Sequence, residues 1–272
     1  ASRGLGDVYK RQLDGLNSPH AILLRANSGE VLAEKDADST IYPASMTKMM
    51  TALLAIEANP DLDTPVTLPE EIFPALQAQN ASLAGFQAGE TATVRDLLYG
   101  AMLPSGAECC EALAREVSGS EEAFVARMNQ KAAELGMTAT HFCNPTGLHD
   151  PEHVSTVRDM ARLTEAALQN ETFRKLFTTE RYTVPATNCH PQGFTMHSTL
   201  LSQLDGTELH RGRILGGKTG YTGEAGLCLA SLAEVKDREY ILVTAGAGGD
   251  HSTAPYHIED AVTVYRRVSR GS

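Results

Sequence analysis

Ser45 and Lys48 stand three residues apart, and their side-chain types suit acyl transfer. A serine hydroxyl is a weak nucleophile until an adjacent base removes its proton. A lysine amine can be that base when burial and nearby positive charge lower its pKa. Apolar residues recur at helical spacing from just after Pro43 to about Ala58, and residues three apart on a helix are neighbours. Chance alone can supply such a pair, so further elements must support the prediction.

Two more groups of residues could complete such a centre. Lys218, Thr219 and Gly220 form a Lys-Thr-Gly triplet inside a segment that reads as a strand. A lysine and a threonine on a strand can hold a carboxylate, and a glycine lets a ligand approach the backbone closely. Ser105 follows Leu103-Pro104 at the start of a predicted helix, where its hydroxyl could pass a proton from a lysine to a leaving amine.

The elements that must position these residues change character along the chain. Short strands are predicted at both ends, and the stretch from about 60 to 204 is mostly helical, with a last helix from Pro255 to about Arg270. The predicted strands are two within residues 20–35, around a turn at 27–29, and three at 212–222, 225–235 and 238–245. This order predicts an α/β fold: an antiparallel sheet flanked by terminal helices, with an inserted all-helical lobe.

The predicted domain organisation follows from that order. Residues 13–272 are expected to form one catalytic domain, in which residues 18–58 and 205–272 build the sheet lobe and residues 59–204 the helical lobe. Residues 1–12 lack the apolar stretch of a signal peptide and any amphipathic period, so we interpret them as a non-native leader outside the fold. An active site is expected between the lobes.

Composition narrows the function classes. The formal net charge of −11 leaves no basic cluster that could follow a phosphate backbone, which argues against nucleic acid as a partner. No apolar run reaches the length of a membrane span, so membrane association is expected only through segments absent from this chain. The five cysteines are an odd number without a CxxC pair, and free thiols are the expectation, with one disulfide left open.

The order of these motifs resembles the penicillin-binding protein and serine β-lactamase superfamily. The flanking strings YPASMTKM at 42–49, LPSG at 103–106, NPTGL at 144–148 and GGKTGYT at 216–222 are most similar to low-molecular-mass penicillin-binding proteins, the serine-type D-alanyl-D-alanine carboxypeptidases. The resemblance runs from about residue 18 to 270. It implies a β-lactamase/transpeptidase-like fold, no cofactor, and a place outside the cytoplasm in the bacterial cell envelope.

The resemblance also implies a role for each site residue. Ser45 would be acylated by the penultimate D-alanine of a peptidoglycan stem peptide ending in D-Ala-D-Ala, and by β-lactam antibiotics. Lys48 would be the base, and Ser105 would pass a proton to the leaving group. The remaining expected binding residues lie together on the predicted strand and its end: Lys218, Thr219, Gly220, Tyr221 and Thr222. Lys218 and Thr219 would hold the terminal carboxylate, and the N–H groups of Ser45 and Tyr221 would form the oxyanion hole.

One position departs from the family pattern. The second motif of the family usually ends in asparagine, whereas this chain has Ala107. An amide there would hydrogen-bond the acyl substrate and the active-site lysine. One such bond contributes about 0.5–1.5 kcal/mol net, so we expect a weakened or retuned enzyme and not an inactive one.

Three alternatives stay open at this point. A serine β-lactamase would use a glutamate to deacylate, and residues 141–150 contain none. A catalytically weak protein that binds penicillin as a sensor or scaffold is favoured only by Ala107. A zinc peptidase is suggested by His149, Asp150 and His153, but these follow turn signals in a predicted loop, where packing or surface roles are the usual ones. We expect no metal site.

Overall fold

The computed structural model describes residues 9–205 and 209–271. Its α-helices are α1 Lys48–Ala58, α2 Phe73–Ala78, α3 Val94–Met102, α4 Ala107–Ser118, α5 Glu121–Glu134, α6 Val157–Leu168, α7 Glu171–Phe177 and α8 Tyr256–Arg270. Its strands are β1 His20–Arg25, β2 Val31–Lys35, β3 Pro65–Thr67, β4 Thr91–Thr93, β5 Arg181–Val184, β6 Phe194–His197, β7 Gly212–Thr222, β8 Gly226–Val235 and β9 Arg238–Ala247. No helix in the described ranges is long and apolar enough to cross a membrane.

The main sheet has five antiparallel strands in the order β2-β1-β9-β8-β7. The N-terminal hairpin therefore pairs with the last strand, and helices α1 to α7 lie in the chain between β2 and β7. The tight turn from β8 to β9 places Lys236 and Asp237 at positive φ (51° and 63°), the backbone shape that a two-residue hairpin requires. The predicted antiparallel sheet with inserted helices is confirmed.

Side-chain alternation along the strands divides the core in two. Ile22 and Leu24 of β1 face a large cluster shared with the helices, while Ala21 and Leu23 face a second cluster against α8. Successive strand residues point to opposite faces, so both faces of the sheet are covered. The second cluster includes Tyr265 of α8, which is fully buried. The sheet is thus a rigid central layer.

Local signals account for several helix ends. Thr93 and Asp96 form a capping box at the start of α3, since each side chain bonds the backbone N–H of the other. The Ser120 hydroxyl caps α5, and Gly136 follows that helix at a φ of 75°. These capping interactions account for the start of α3 and for both ends of α5.

The exclusion of residues 1–12 from the fold is wrong for the part that the structure describes. Residues 10–13 form a 3₁₀ turn, and Tyr9 packs against the second cluster. Arg25 donates to the Tyr9 hydroxyl at 3.4 Å, and Arg267 of α8 donates to the Gln12 carbonyl at 3.0 Å. Short polar segments lack periodicity, which is why this contact left no sign in the sequence pattern. Residues 1–8 lie outside the described residues.

Helix α1 bears on the proposed division into lobes. It packs against α4, α3, α6 and α7, so it is the central helix of the helical part although the prediction grouped it with the sheet. The 3₁₀ turn before it contacts β7 and β8. The lobe boundaries remain a prediction, and the junction between turn and helix is where the two parts meet.

Candidate active site

Ser45 lies in a 3₁₀ turn, Ala44–Thr47, that leads directly into α1 at Lys48. The sequence predicted an ordinary first helical turn here. A 3₁₀ turn has three residues per turn, so side chains at positions i and i+3 lie in line. Lys48 Nζ accordingly donates to Ser45 Oγ at 2.7 Å. The predicted contact between the two residues is present, through a tighter turn than expected.

Two glycines leave room for this turn. Ala44 has a φ of 47°, which is unusual for a residue with a side chain. A Cβ on Gly147 would lie 1.8 Å from the Ala44 carbonyl oxygen, and one on Gly220 would lie 2.9 Å from the Ser45 nitrogen. Asn144 holds the loop around Gly147 by accepting the Gly147 N–H at 2.8 Å. The loop that carries Gly147 therefore packs directly against the backbone at Ala44 and Ser45.

Ser105 joins the two lysines. Its hydroxyl accepts from Lys48 Nζ at 3.1 Å and from Lys218 Nζ at 3.0 Å. It is buried, and its φ of 67° is positive at a residue with a side chain, as at Ala44. Such strained backbone is concentrated at functional sites. The hydroxyl thus links the base candidate of α1 to the lysine of β7.

Burial sets the electrostatics of this pair of lysines. Lys48 is 2% exposed and Lys218 is fully buried. Burial lowers the pKa of Lys48, and it lowers the pKa of Lys218 still further, with the charge on Lys48 adding to the effect. Both shifts have the sign expected when an ammonium group loses water, and at Lys218 the nearby cation adds to it. A neutral amine that can accept a proton is therefore accessible here.

Strand β7 supplies the other wall of the site. Lys218 and Thr219 pair with Ala230 and Leu229 of β8, so the sheet ladder fixes their position. Lys218 Nζ also donates to the Thr219 carbonyl at 2.7 Å. The Thr219 hydroxyl lies 2.5 Å from the Thr199 hydroxyl. The triplet predicted from the sequence is thus held in extended backbone facing Ser45.

Two cavities meet at Ser45. The first, of about 200 Å³, is lined by Ser105, Thr219, Gly220 and Tyr221 among others. The second, of about 450 Å³, is lined by residues that include Lys48, Ala107, Gly147, Tyr221 and Thr222. We call this larger cavity the long arm of the cleft. All eight predicted site residues are brought together: Ser45, Lys48, Ser105, Lys218, Thr219, Gly220, Tyr221 and Thr222.

Three residues around the cleft were not predicted from the sequence. Thr199, the partner of Thr219, lies in an irregular segment with no motif. His251 meets the Tyr221 ring edge-on at 4.8 Å, from a loop that had no functional signal. Buried Glu108 accepts from the backbone N–H groups of residues 84, 85 and 86, and this holds a loop beside the cleft. Only Glu108 had a signal, since an acidic residue in the first turn suits a helix N-terminus.

The histidine group considered for zinc is dispersed among other contacts. His153 is buried, with Nε2 2.8 Å from the Thr47 hydroxyl and Nδ1 accepting from Cys143 N–H. Burial lowers the pKa of His153 to about 4. His149 packs edge-on against Tyr42. In residues 9–205 and 209–271 no cluster of three or more acidic, histidine or cysteine ligands could hold a metal. His153 instead supports the turn that carries Ser45, and the five cysteines are free thiols.

Known structures share this arrangement of sheet and helices. The crystal structure of the Streptomyces K15 DD-transpeptidase superimposes with a TM-score of 0.83 at 30% identity, over 93% of this chain and 97% of that one. The fold is that of the serine DD-peptidases of the penicillin-binding type. A family model described as Peptidase S11, D-alanyl-D-alanine carboxypeptidase, matches residues 8–249. The chain belongs to this family.

Curated relatives agree with the assignment. The D-alanyl-D-alanine carboxypeptidase DacF of Bacillus subtilis is 37% identical over 84% of this chain and 57% of its own length. The D-alanyl-D-alanine endopeptidase of Pseudomonas aeruginosa is 30% identical over 94% of this chain and 78% of its own. The chain thus spans little more than half the length of the first of these relatives. The two relatives are named a carboxypeptidase and an endopeptidase, which are two outcomes of the same cleavage chemistry.

Proposed function

We propose that this chain is a serine D-alanyl-D-alanine carboxypeptidase that removes the terminal D-alanine from peptidoglycan stem peptides. One observation carries the proposal: a buried lysine amine lies 2.7 Å from a serine hydroxyl at the junction of two cavities. That distance is within the reach required of a general base. Membership of the family supports the choice of substrate.

Acylation begins at Ser45. Neutral Lys48 takes the hydroxyl proton while the oxygen attacks the carbonyl carbon of the penultimate D-alanine. The backbone N–H groups of Ser45 and Tyr221 bind the negative charge that develops on the carbonyl oxygen, and losing one such donor costs about 100- to 1000-fold in rate. The intermediate then holds a C–O bond to Ser45, and the proton is on Lys48.

Expulsion of the terminal D-alanine returns that proton. The C–N bond breaks, and the leaving nitrogen must gain a proton as it departs. Ser105 is hydrogen-bonded to both lysine amines, so it can donate its own proton to the nitrogen and take one from Lys48. Lys218 and Thr219 hold the carboxylate of the departing D-alanine in the smaller cavity. Water then attacks the acyl-enzyme while Lys48 accepts its proton, the C–O bond to Ser45 breaks, and Lys48 returns the proton to the Ser45 oxygen.

The same chemistry extends the proposal to inhibitors and location. A β-lactam ring presents a strained acyl group to Ser45, so we propose that β-lactam antibiotics acylate it. Family members act on peptidoglycan, which supports a site of action in the bacterial cell envelope. A transpeptidase outcome differs only in the group that accepts the acyl chain, and an endopeptidase outcome only in the peptide bond presented to Ser45. Relatives with those names support both as alternative outcomes of the same chemistry.

Release of D-alanine from a synthetic pentapeptide mimic tests the proposal. The wild type should release D-alanine, and Ser45→Ala should release none above background. Wild type that binds the peptide but releases nothing would favour the sensor or scaffold alternative. Intact mass spectrometry measures the lifetime of the penicilloyl adduct on Ser45. Loss of this adduct within seconds would favour a β-lactamase.

A further inference from the structure

The smaller of the two cavities at Ser45, of about 200 Å³, continues past the reacting groups, and we call it the short arm of the cleft. Tyr221 of β7 pairs with Leu227 of β8, which in turn pairs with Ala247 at the end of β9. Leu227 lines the short arm. Beyond it lies a wall formed by the segment after β9, the far wall, which consists of Asp250, His251, Thr253, Pro255 and His257. No step of the proposed acylation uses this wall.

His257 is the unusual group of the far wall. It lies in the first turn of α8, it is 7% exposed, and its Nδ1 atom has no hydrogen-bond partner among the described residues. Nearly all buried polar atoms in native proteins are paired with protein or with water, because an unpaired one is costly. A ligand group that enters the short arm beside this ring can supply the missing partner.

The neighbouring polar groups of the far wall have partners inside the wall itself. The Thr253 hydroxyl accepts from the Asp250 N–H at 3.0 Å and donates to the Asp250 carbonyl at 3.0 Å. The Asp250 carboxylate accepts from the N–H and from the hydroxyl of Ser252, at 2.8 and 2.6 Å. Compared with Asp250 and Thr253, His257 is therefore the group that still lacks a hydrogen bond.

The charges at the far wall favour an uncharged ligand group. Burial lowers the pKa of His257 to about 4, so its ring is neutral at neutral pH and offers no charge to a carboxylate. The hydrogen bonds from Ser252 lower the pKa of Asp250, so this group is ionised and repels another carboxylate. Each nitrogen of a neutral imidazole is a donor in one tautomer and an acceptor in the other, and a hydroxyl can be either. A hydroxyl group therefore suits His257 in both tautomers.

We propose that the short arm binds a leaving residue whose side chain carries a hydroxyl group, with His257 as its hydrogen-bond partner. The chain would then release a hydroxylated D-residue, such as D-serine, faster than an apolar D-residue of the same size. This inference rests on the proposed carboxypeptidase function and adds a determinant of its leaving group. The reaction is unchanged: the C–N bond breaks, Ser105 gives its proton to the leaving nitrogen, and Thr219 holds the carboxylate. The side chain of the leaving residue is then free to face the far wall.

The test compares peptides that differ by one hydroxyl group. All have the same acyl part and a penultimate D-alanine, and one pair ends in D-serine or in D-2-aminobutyrate, which has a methyl group in place of the hydroxyl. A second pair, one carbon longer, ends in D-homoserine or in D-norvaline. The measured quantity is the ratio of kcat/KM for release of the last residue, hydroxyl over methyl. In the wild type we expect a ratio of about two to ten for the pair whose hydroxyl reaches His257, as for one neutral hydrogen bond.

Variants of His257 assign this ratio to its ring. His257→Leu removes both ring nitrogens, so the ratio should fall to about one or below. His257→Asn places an amide close to the position of Nδ1, so it should keep part of the ratio. His197 is exposed on β6 and does not line the short arm, so His197→Leu should keep the wild-type ratio. A purely structural role of His257 would change the release of both members of a pair equally and leave their ratio unaltered.

The wild-type peptides test the inference even if no His257 variant folds. A wild-type ratio of one or less in both pairs would overturn the inference and leave the carboxypeptidase intact. A folded His257→Leu protein that kept the full ratio would also overturn it. Release of no terminal residue from these four peptides, and of no D-alanine from the pentapeptide mimic, would instead contradict the proposed function itself.

Discussion

The two walls of the cleft are built in different ways. On the sheet side, Lys218, Thr219 and Gly220 lie in extended backbone, and each is paired with a residue of β8. On the other side, Ser45 follows Ala44 at a φ of 47°, and Ser105 itself has a φ of 67°. Residues held in such conformations cost of order 1–3 kcal/mol each and persist only where surrounding packing enforces them.

The contrast shows which parts of the site depend on distant residues. Sheet pairing is enough to position the Lys218 amine. The Ser45 turn needs space at Gly147 and Gly220, and a hydrogen bond between His153 and Thr47 beside it. The reacting hydroxyls thus lie on the strained wall, and the wall that faces them is a regular strand. Mutations can test whether the two walls fail in these different ways.

The largest expected effect comes from the base on the strained wall. Lys48→Ala removes the only amine in the described structure that is hydrogen-bonded to Ser45 Oγ. General-base catalysis contributes about 100- to 10,000-fold, so D-alanine release should fall by that range in kcat/KM. Lys131→Ala is a suitable control, because Lys131 forms a partly exposed ion pair with Glu57 away from the cleft. A Lys48→Ala enzyme with wild-type turnover would remove this residue from the mechanism.

The next largest effect is expected when a side chain is added against the turn that carries Ser45. Gly147→Ala places a Cβ 1.8 Å from the Ala44 carbonyl oxygen at a φ of 87°. Overpacking and left-handed backbone together should cost about 2–5 kcal/mol in the free energy of unfolding. Gly136 has a similar φ of 75°, but an added Cβ there would meet nothing within 4 Å, so Gly136→Ala should cost only about 1–2 kcal/mol. Denaturant unfolding of both variants measures the difference.

The rate of β-lactam acylation is a second measurement that distinguishes Gly147→Ala from Gly136→Ala. Gly147→Ala should slow β-lactam acylation of Ser45 in the protein that still folds, whereas Gly136→Ala should leave this rate at the wild-type value. Equal stability and equal acylation in the two variants would show that the turn does not depend on Gly147.

The pH dependence of turnover follows from the buried lysines. The pKa of Lys48 is lowered by burial, so the neutral amine forms at a lower pH than it would in water. The value of kcat/KM should rise with pH as the ammonium loses its proton, and the midpoint should lie below the ordinary lysine pKa of about 10.4. A pH profile with an uncharged-side-chain substrate measures it. A midpoint at or above the ordinary value would contradict the assignment of Lys48 as the base.

The smallest expected effect concerns position 107. Ala107 is buried, it starts α4, and it lines the long arm beside Ser45 and Lys48. Ala107→Asn would place an amide where it can bond the acyl substrate, with a gain of up to about tenfold in turnover. Acylation by penicillin and release of D-alanine measure the change. If both stay at the wild-type values, the missing amide does not limit this enzyme.

Sequence patterns predicted the regular wall better than the strained one. The alternation and turn signals located β7, β8 and β9, and the Lys-Thr-Gly triplet fell on a strand as expected. The spacing of Ser45 and Lys48 predicted their contact. It could not predict a 3₁₀ turn with a positive φ at Ala44, because packing of Gly147 from a distant loop sets that conformation. Local patterns contain no information about such long-range contacts.

The same limit explains the other differences. Thr199 and Glu108 act through partners that are 20 or more positions away in the chain. No motif marks Thr199, and the first-turn position of Glu108 does not identify its partners. Residues 1–12 were expected to lie outside the fold because they show no apolar stretch or period. The contact of Gln12 with α8 joins groups separated by 255 positions, so it left no local pattern. Element types and the site motifs were predictable, whereas the supports that hold the strained wall were not.

Covalent labelling of Ser45 is the decisive test of the proposed acyl-enzyme. Wild-type protein and Ser45→Ala are incubated with a fluorescent penicillin, and each is analysed by gel fluorescence and intact mass spectrometry. We predict one penicilloyl adduct on the wild type, located by peptide mapping at Ser45, and none on the folded variant. An unlabelled wild type, or equal labelling of Ser45→Ala, would contradict the assignment of Ser45 as the nucleophile.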